Sequence, residues 1–175
     1  MTPMLLLTLG MLQASPAPAP DGTHPRLRPD DRCARAIVWE GAQSSPTVAR
    51  LVAAVEASDV VVYVRCETGL RQRGVMTFVA HGGPLTYVLV RVEIGQPERA
   101  RVATLAHELT HALEVAEACP PLQTAADLET LYRRIGIPGD RPGEFESRGA
   151  LANERLAKAE LGHAAATPQK RQDPR

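Results

Sequence analysis

Apolar positions along this chain recur at helical spacing, then at strand spacing, then at helical spacing again. Val48, Leu51, Val52 and Val55 fall three and four residues apart behind Ser45 and Pro46, which predicts a helix closing at Ala57-Ser58-Asp59. Val60 to Cys66 is a β-branched run, the pattern of a strand buried on both faces. A basic turn from Gly69 to Gly74 leads to a second strand, Val75 to Ala80, and His81-Gly82-Gly83-Pro84 has the backbone freedom a hairpin turn needs. From Thr86 to Ile94, Tyr87, Leu89, Arg91 and Glu93 alternate with Val88, Val90, Val92 and Ile94, so this third strand turns one face to the core. Upstream, Cys33 to Trp39 reads as a short apolar strand or turn, and Gly41 to Ser45 as a loop.

Gly95-Gln96-Pro97 breaks the third strand, and Pro97 and Glu98 suit the first turn of a long helix. It continues to about Ala118, where Cys119-Pro120-Pro121 stops it. At about 100° per residue, Val102, Leu105, Leu109, Ala112, Leu113 and Ala116 form one apolar stripe. The opposite side carries His107 and His111 among Ala100, Thr104, Val115 and Ala118, so the helix should lie between two layers, with Arg99, Thr110 and Glu117 marking the solvent strip. Thr124 and Asp127 form a capping-box pattern for a helix to Arg134 whose buried side is Leu128, Leu131 and Ile135. Gly136 to Gly139 is loop, and Asp140 or Pro142 opens a last helix to about Leu161 with Phe145, Ala152, Leu156 and Ala159 as its core stripe.

The elements add up to an α+β fold: an N-terminal helix, a three-stranded and mainly antiparallel sheet, a long central helix, and two C-terminal helices. Residues 1–15 read as a signal peptide, because the apolar run Met4 to Leu12 is too short to span a bilayer and is followed by Gln13-Ala14-Ser15, although it lacks a positive leading segment. Residues 16–31 form a Pro/Ala-rich linker, 32–162 the domain and 163–175 a loose tail. Export to the periplasm or the exterior follows from such a signal. It makes a disulfide permissible among Cys33, Cys66 and Cys119; Cys33 with Cys66 is the favoured pair, with three buried thiols as the alternative.

Composition narrows the partners. The 175 residues are 44% hydrophobic and 23% charged, enough for one real core, and the formal net charge of zero gives no global field to recruit nucleic acid or an anionic membrane. Aromatics at 3% leave little to stack on bases.

The chemistry lies in His107-Glu108-Leu109-Thr110-His111, an H-E-x-x-H pattern within the long helix. Residues i and i+4 share a helix face one turn apart, so both imidazoles can meet one metal ion, while Glu108 sits beside it as a general base. Glu114, on the same face, is placed to orient a histidine ring instead of binding the ion. His24, His81 and His163 have no partner at ligand spacing and read as loop or surface residues.

On His107, Glu108 and His111, and on the order of helix, three strands, motif helix and further helices, the stretch from about Val60 to Ala150 resembles the zincin metallopeptidases. The lack of a longer histidine-and-glycine extension makes it similar to the gluzincin type. That resemblance implies Zn2+ as cofactor and a third ligand, a glutamate from a later helix. Glu146, 35 positions beyond His111, is the best candidate, heading a helical face that continues with Ala150, Asn153 and Ala157; Glu144, Glu129 and Glu114 stay open as alternatives, and Glu154 should face elsewhere. It further implies a zinc-dependent peptidase that hydrolyses peptide bonds with metal-activated water and Glu108 as base, and a peptide or protein substrate adding to the edge of Thr86 to Ile94. Tyr132 is the first candidate oxyanion donor, ahead of Tyr87 and His163. The competing expectation is a non-catalytic binding or assembly protein that keeps the fold with structural zinc or none.

Overall fold

A computed structural model describes residues 25–138 and 145–166, with side chains to 163. The signal peptide and most of the linker therefore lie outside the described residues, as do His24 and Glu144. In chain order the elements are β1 (Leu27–Pro29), α1 (Arg32–Ser44), α2 (Pro46–Glu56), β2 (Val60–Glu67), β3 (Gly74–Gly82), β4 (Leu85–Glu93), α3 (Glu98–Ala116), α4 (Ala125–Ile135), β5 (Ile137–Pro138), β6 (Phe145–Glu146) and α5 (Arg148–Ala166). The fold is α+β.

The main sheet has four strands in the order β1-β2-β4-β3, and it is not the three-stranded, mainly antiparallel sheet expected. β1 runs parallel to β2 and β2 parallel to β4, leaving β3 as the antiparallel partner of β4. β3 lies on the far side of β4 from β2, so the basic turn from Gly69 to Gly74 joins strands that do not pair, while the expected hairpin turn closes at Gly83, where φ is +60°. β1 escaped notice because a three-residue strand ending in proline has no periodicity to read. It is held by Glu56, whose carboxylate accepts the backbone N–H groups of Arg26 and Leu27 at 3.2 and 3.0 Å. The folded domain thus begins inside the stretch assigned to the linker.

Alternation decides which face of the sheet is covered. Val88, Val90 and Val92 of β4 and Val60, Val62 and Val64 of β2 are fully buried and share one face in register, whereas Tyr87, Leu89, Arg91 and Glu93 stay half-buried on the other. Against the buried valines lies α3, whose Leu105 and Leu109 are wholly enclosed. Each such leucine contributes about 1.5–3 kcal/mol by leaving water. Over α3 packs α5, whose Ala150 and Ala157 are fully buried and whose Asn153 donates a 2.9 Å hydrogen bond to the Thr110 hydroxyl. Thr110 is accordingly buried rather than on a solvent strip, and its hydroxyl is satisfied by the Ala106 carbonyl at 2.8 Å.

Cys33 to Trp39 is helical, not a strand or turn. Asp31 caps α1 by accepting the Ala34 N–H at 2.8 Å, and Ala34, Ile37, Val38 and Gly41 form its buried stripe. Gly41 looked like a loop residue, yet it serves close packing: a Cβ there would lie 2.9 Å from Val48 and 3.0 Å from Val102, side chains of α2 and α3. Ser45 then caps α2 with Pro46 in the first turn, as its sequence predicts, and Thr124 and Asp127 form the expected capping box on α4.

The last helix starts later than expected, at Arg148, with Ser147 accepting the Ala150 N–H at 3.0 Å. Phe145–Glu146 instead pairs with Ile137–Pro138 as a two-stranded ribbon, so Gly136 to Gly139 is not wholly loop. That shift changes the buried stripe of α5 to Ala150, Glu154, Ala157 and Leu161; Ala152, Leu156 and Ala159 are exposed. On α4, Leu131 is buried but Ile135 is 41% exposed. The helix also runs to Ala166, into the stretch expected to be loose.

Cys33 and Cys66 form a disulfide that ties α1 to β2, with Cα atoms 5.9 Å apart, and Cys119 is free and exposed. The bond closes a loop with a sequence separation of 33, for which chain entropy gives about 3–4 kcal/mol. Cys33→Ser/Cys66→Ser should lower the unfolding free energy by that amount in chemical denaturation; a loss under about 1 kcal/mol would show that the bond constrains little.

Candidate metal centre

The centre is built from α3 outward. Residues 102 to 112 of this helix are buried in unbroken succession, so polar groups among them must find partners inside the protein. The i, i+4 spacing brings the Nε2 atoms of His107 and His111 to 3.1 Å, with ring centroids 4.8 Å apart and planes at 74°. Glu146 Oε2 approaches His107 Nε2 to 3.0 Å. One ligand atom from each of the three residues fits within a mutual 4.8 Å. Glu146 thus meets the histidines, though from β6 and not from a helix. Its position is set by the short ribbon, in which Ile137 faces Glu146, and by Phe145, which stacks on Tyr132 at 6.5 Å and 18°.

Two imidazoles and a carboxylate form a donor set suited to a divalent ion of borderline softness. Tetrahedral ligands on arms of about 2.0–2.1 Å stand roughly 3.4 Å apart, close to the 3.1 and 3.0 Å contacts here. Glu146 Oε2 is moreover buried without an aligned hydrogen bond, an orphaned acceptor that a cation would satisfy. The residues present therefore fit a metal ion.

Supporting groups surround the rings. Glu114 lies 2.9 Å from His111 Nδ1, the orienting contact its place on the helix predicts. Tyr132 OH lies 3.0 Å from the same nitrogen and donates to Glu114 at 3.0 Å, with the His111 carbonyl 3.2 Å away. Its hydroxyl is thus committed to His111 and Glu114, which argues for positioning and against a free oxyanion donor. Burial and the Glu114 charge push its pKa up, so it remains a donor. Glu154 does not face elsewhere: Oε2 comes within 3.2 Å of His107 Nδ1. The sequence missed it because the helical phase was counted from Glu146, which precedes the helix; Ala150 and Ala157, small and on either side of Glu154, were the signal available.

Glu108 is 4% exposed. Burial, reinforced by Glu146 and Glu154, outweighs the attraction of the two imidazoles and pushes its carboxyl up to about 7, where it can take and return a proton at neutral pH. Its neighbour is the start of β3. A Cβ on Gly74 would stand 2.6 Å from Glu108 Oε1 and 2.5 Å from Thr104 Cγ2, so only glycine lets the strand come this close.

A cleft of about 580 Å³ opens over these groups, walled by Gly74 to Met76 of β3, Leu128 and Tyr132 of α4, and Phe145. β3 is the edge strand beside it. β4 is paired on both sides, so the edge expected at Thr86 to Ile94 is already used. The remaining sequence candidates do not join the His107–His111–Glu146 group. Glu129 borders the cleft but is exposed and bonded to Arg133 at 2.6 Å. His81 contacts Thr86 at 3.1 Å in the hairpin, His163 is exposed and 2.7 Å from the Ala159 carbonyl, and Tyr87 lies on the outer face of the sheet.

No protein-family model matches the chain, nor does any curated protein or solved structure.

Gly74→Ala should destabilise the protein by about 1–3 kcal/mol through overpacking at Glu108 and Thr104, measured by denaturant titration; a neutral change would mean that β3 can retreat freely. The metal-free protein should also lose stability with rising pH. Burial disfavours the His107 cation, but Glu146, Glu154 and Glu108 outweigh it and push the ring up from 6.5 to about 10. That contribution is complete below 6.5 and lost as pH climbs toward 10; Glu108, raised from 4.5 to about 7, acts with the same sign over its own window. Denaturation at stepped pH in a chelator should show this decline, and His107→Gln should flatten it above 6.5.

Proposed function

We propose that this chain is a metal-dependent hydrolase of the zincin class. Within that class we read it as a gluzincin-type zinc peptidase, with His107, His111 and Glu146 as ligands and Glu108 as general base. The observation that carries the reading is the convergence of two Nε2 atoms and a carboxylate oxygen at 3.1 and 3.0 Å on the floor of an open cleft. When bound, zinc supplies a Lewis acid that polarises a carbonyl and brings the pKa of water toward about 7.

The chain's own residues supply the rest. Glu108, buried beside the two imidazoles, removes a proton from a water in the cleft and delivers it to the departing amine. The free edge of β3 offers backbone groups to an extended peptide, and Met76, Leu128 and Phe145 offer apolar contact to its side chains. Among the described residues no helix is long and apolar enough to cross a membrane. The Cys33–Cys66 disulfide and the apolar leader support export to an oxidising compartment.

Purified wild-type protein should hold one zinc per chain and cleave a mixed peptide library. His107→Ala should lose the metal, whereas Glu108→Ala should keep it and turn over about 10²–10⁴-fold more slowly. Wild-type turnover in Glu108→Ala, or no zinc in the parent protein, would defeat the assignment.

A further inference from the structure

Resting on the metal-centre reading above, the geometry points to Glu154 as a positioning residue for His107, keyed through Arg73 to the edge strand. Glu154 is buried, 5% exposed, on the face of α5 that packs against α3. Its two oxygens have separate tasks. Oε2 lies 3.2 Å from His107 Nδ1, while Oε1 meets Arg73 at 3.0 Å and Lys158 at 2.6 Å. A carboxylate enclosed to this degree stays ionised only with such company.

The tautomer of His107 is what this arrangement controls. With its proton on Nδ1 facing Glu154, the ring keeps the Nε2 lone pair turned toward His111 and Glu146. Nδ1 is buried and has no aligned hydrogen-bond partner, so a small rotation of the ring toward Glu154 completes the contact. His111 has its equivalent in Glu114, but that carboxylate comes from the same helix three residues on. Glu154 comes from another element, so His107 is oriented only once α5 has docked.

Arg73 extends the link to the cleft rim. It immediately precedes Gly74, and its carbonyl accepts the Glu93 N–H at 2.9 Å and the Gln96 side chain at 2.7 Å, which pins its backbone to the end of β4. The arm from this anchored residue to Glu154 therefore ties the strand beside Glu108 to the ring of His107.

The test is zinc affinity in the full chain, by competition with a chromophoric chelator, for wild type, Glu154→Gln, Glu154→Leu and Arg73→Gln. Affinity should fall about 10-fold in Glu154→Gln and about 100-fold in Glu154→Leu, the span expected for a lost orienting partner, with a smaller loss of the same sign in Arg73→Gln. Long-range ¹⁵N–¹H spectra of the zinc-loaded protein should show the His107 proton on Nδ1 and a shift of that resonance in Glu154→Gln, which a merely structural role would not produce. Should Glu154→Leu fail to fold, the isosteric Glu154→Gln and Arg73→Gln, whose side chain is 59% exposed, carry the test. Glu154→Gln with wild-type affinity and an unmoved resonance overturns the proposal and leaves the metal centre standing. A wild-type chain that takes up no zinc overturns both.

Discussion

The burial of α3 is the constraint on which the rest depends. A helix enclosed between a sheet and another helix can present imidazoles and carboxylates to the interior only if each polar atom is matched there, because an unmatched one costs about 1–3 kcal/mol or more. Much of the architecture reads as the answer to that demand. Glu114 and Tyr132 serve His111, Asn153 serves Thr110, and Glu154 stands against His107. The Glu146 oxygen and His107 Nδ1, both still without an aligned hydrogen bond, mark where the matching stays incomplete around these rings.

The sheet supports this centre by being asymmetric. Parallel pairing of β2 with β4 puts a continuous valine surface under α3, while the antiparallel β3 leaves its outer edge free beside the cleft. Gly74 lets that edge approach the Glu108 carboxylate, so the wall of the cleft and this buried acid are adjacent through want of a single methyl group. The sheet is thus covered by α3 on one face and left unpaired along the β3 edge beside the cleft.

The N-terminal helices have a different task, which is to lock the two ends of the domain together. Glu160 of α5 accepts the Ser45 and Thr47 hydroxyls and the Thr47 N–H at the start of α2, and its carboxyl lies below the usual carboxylate range because those hydrogen bonds outweigh its burial. Arg50 of α2 reaches Asn153 at 2.9 Å, and Asn153 in turn holds Thr110. The disulfide from α1 to β2 completes the enclosure on the other side. Since α5 also carries Glu154, whatever fixes α5 bears on the orientation of His107.

Local chemistry made much of this legible from the chain alone. The i, i+4 histidines, the acid between them, the orienting place of Glu114, the capped helices from Pro46 and from Ala125, and the alternation of β4 all follow from periodicities that neighbours in sequence impose on one another. Glu146 was a choice among several acids, made by resemblance, and its true setting on a two-residue strand had no local signature. Which edge of the sheet stays open, why Gly41 and Gly74 must lack side chains, and that Glu154 turns inward were decided only when distant segments met. Strand order and helix phase are properties of packing between elements, and no window of adjacent residues contains them.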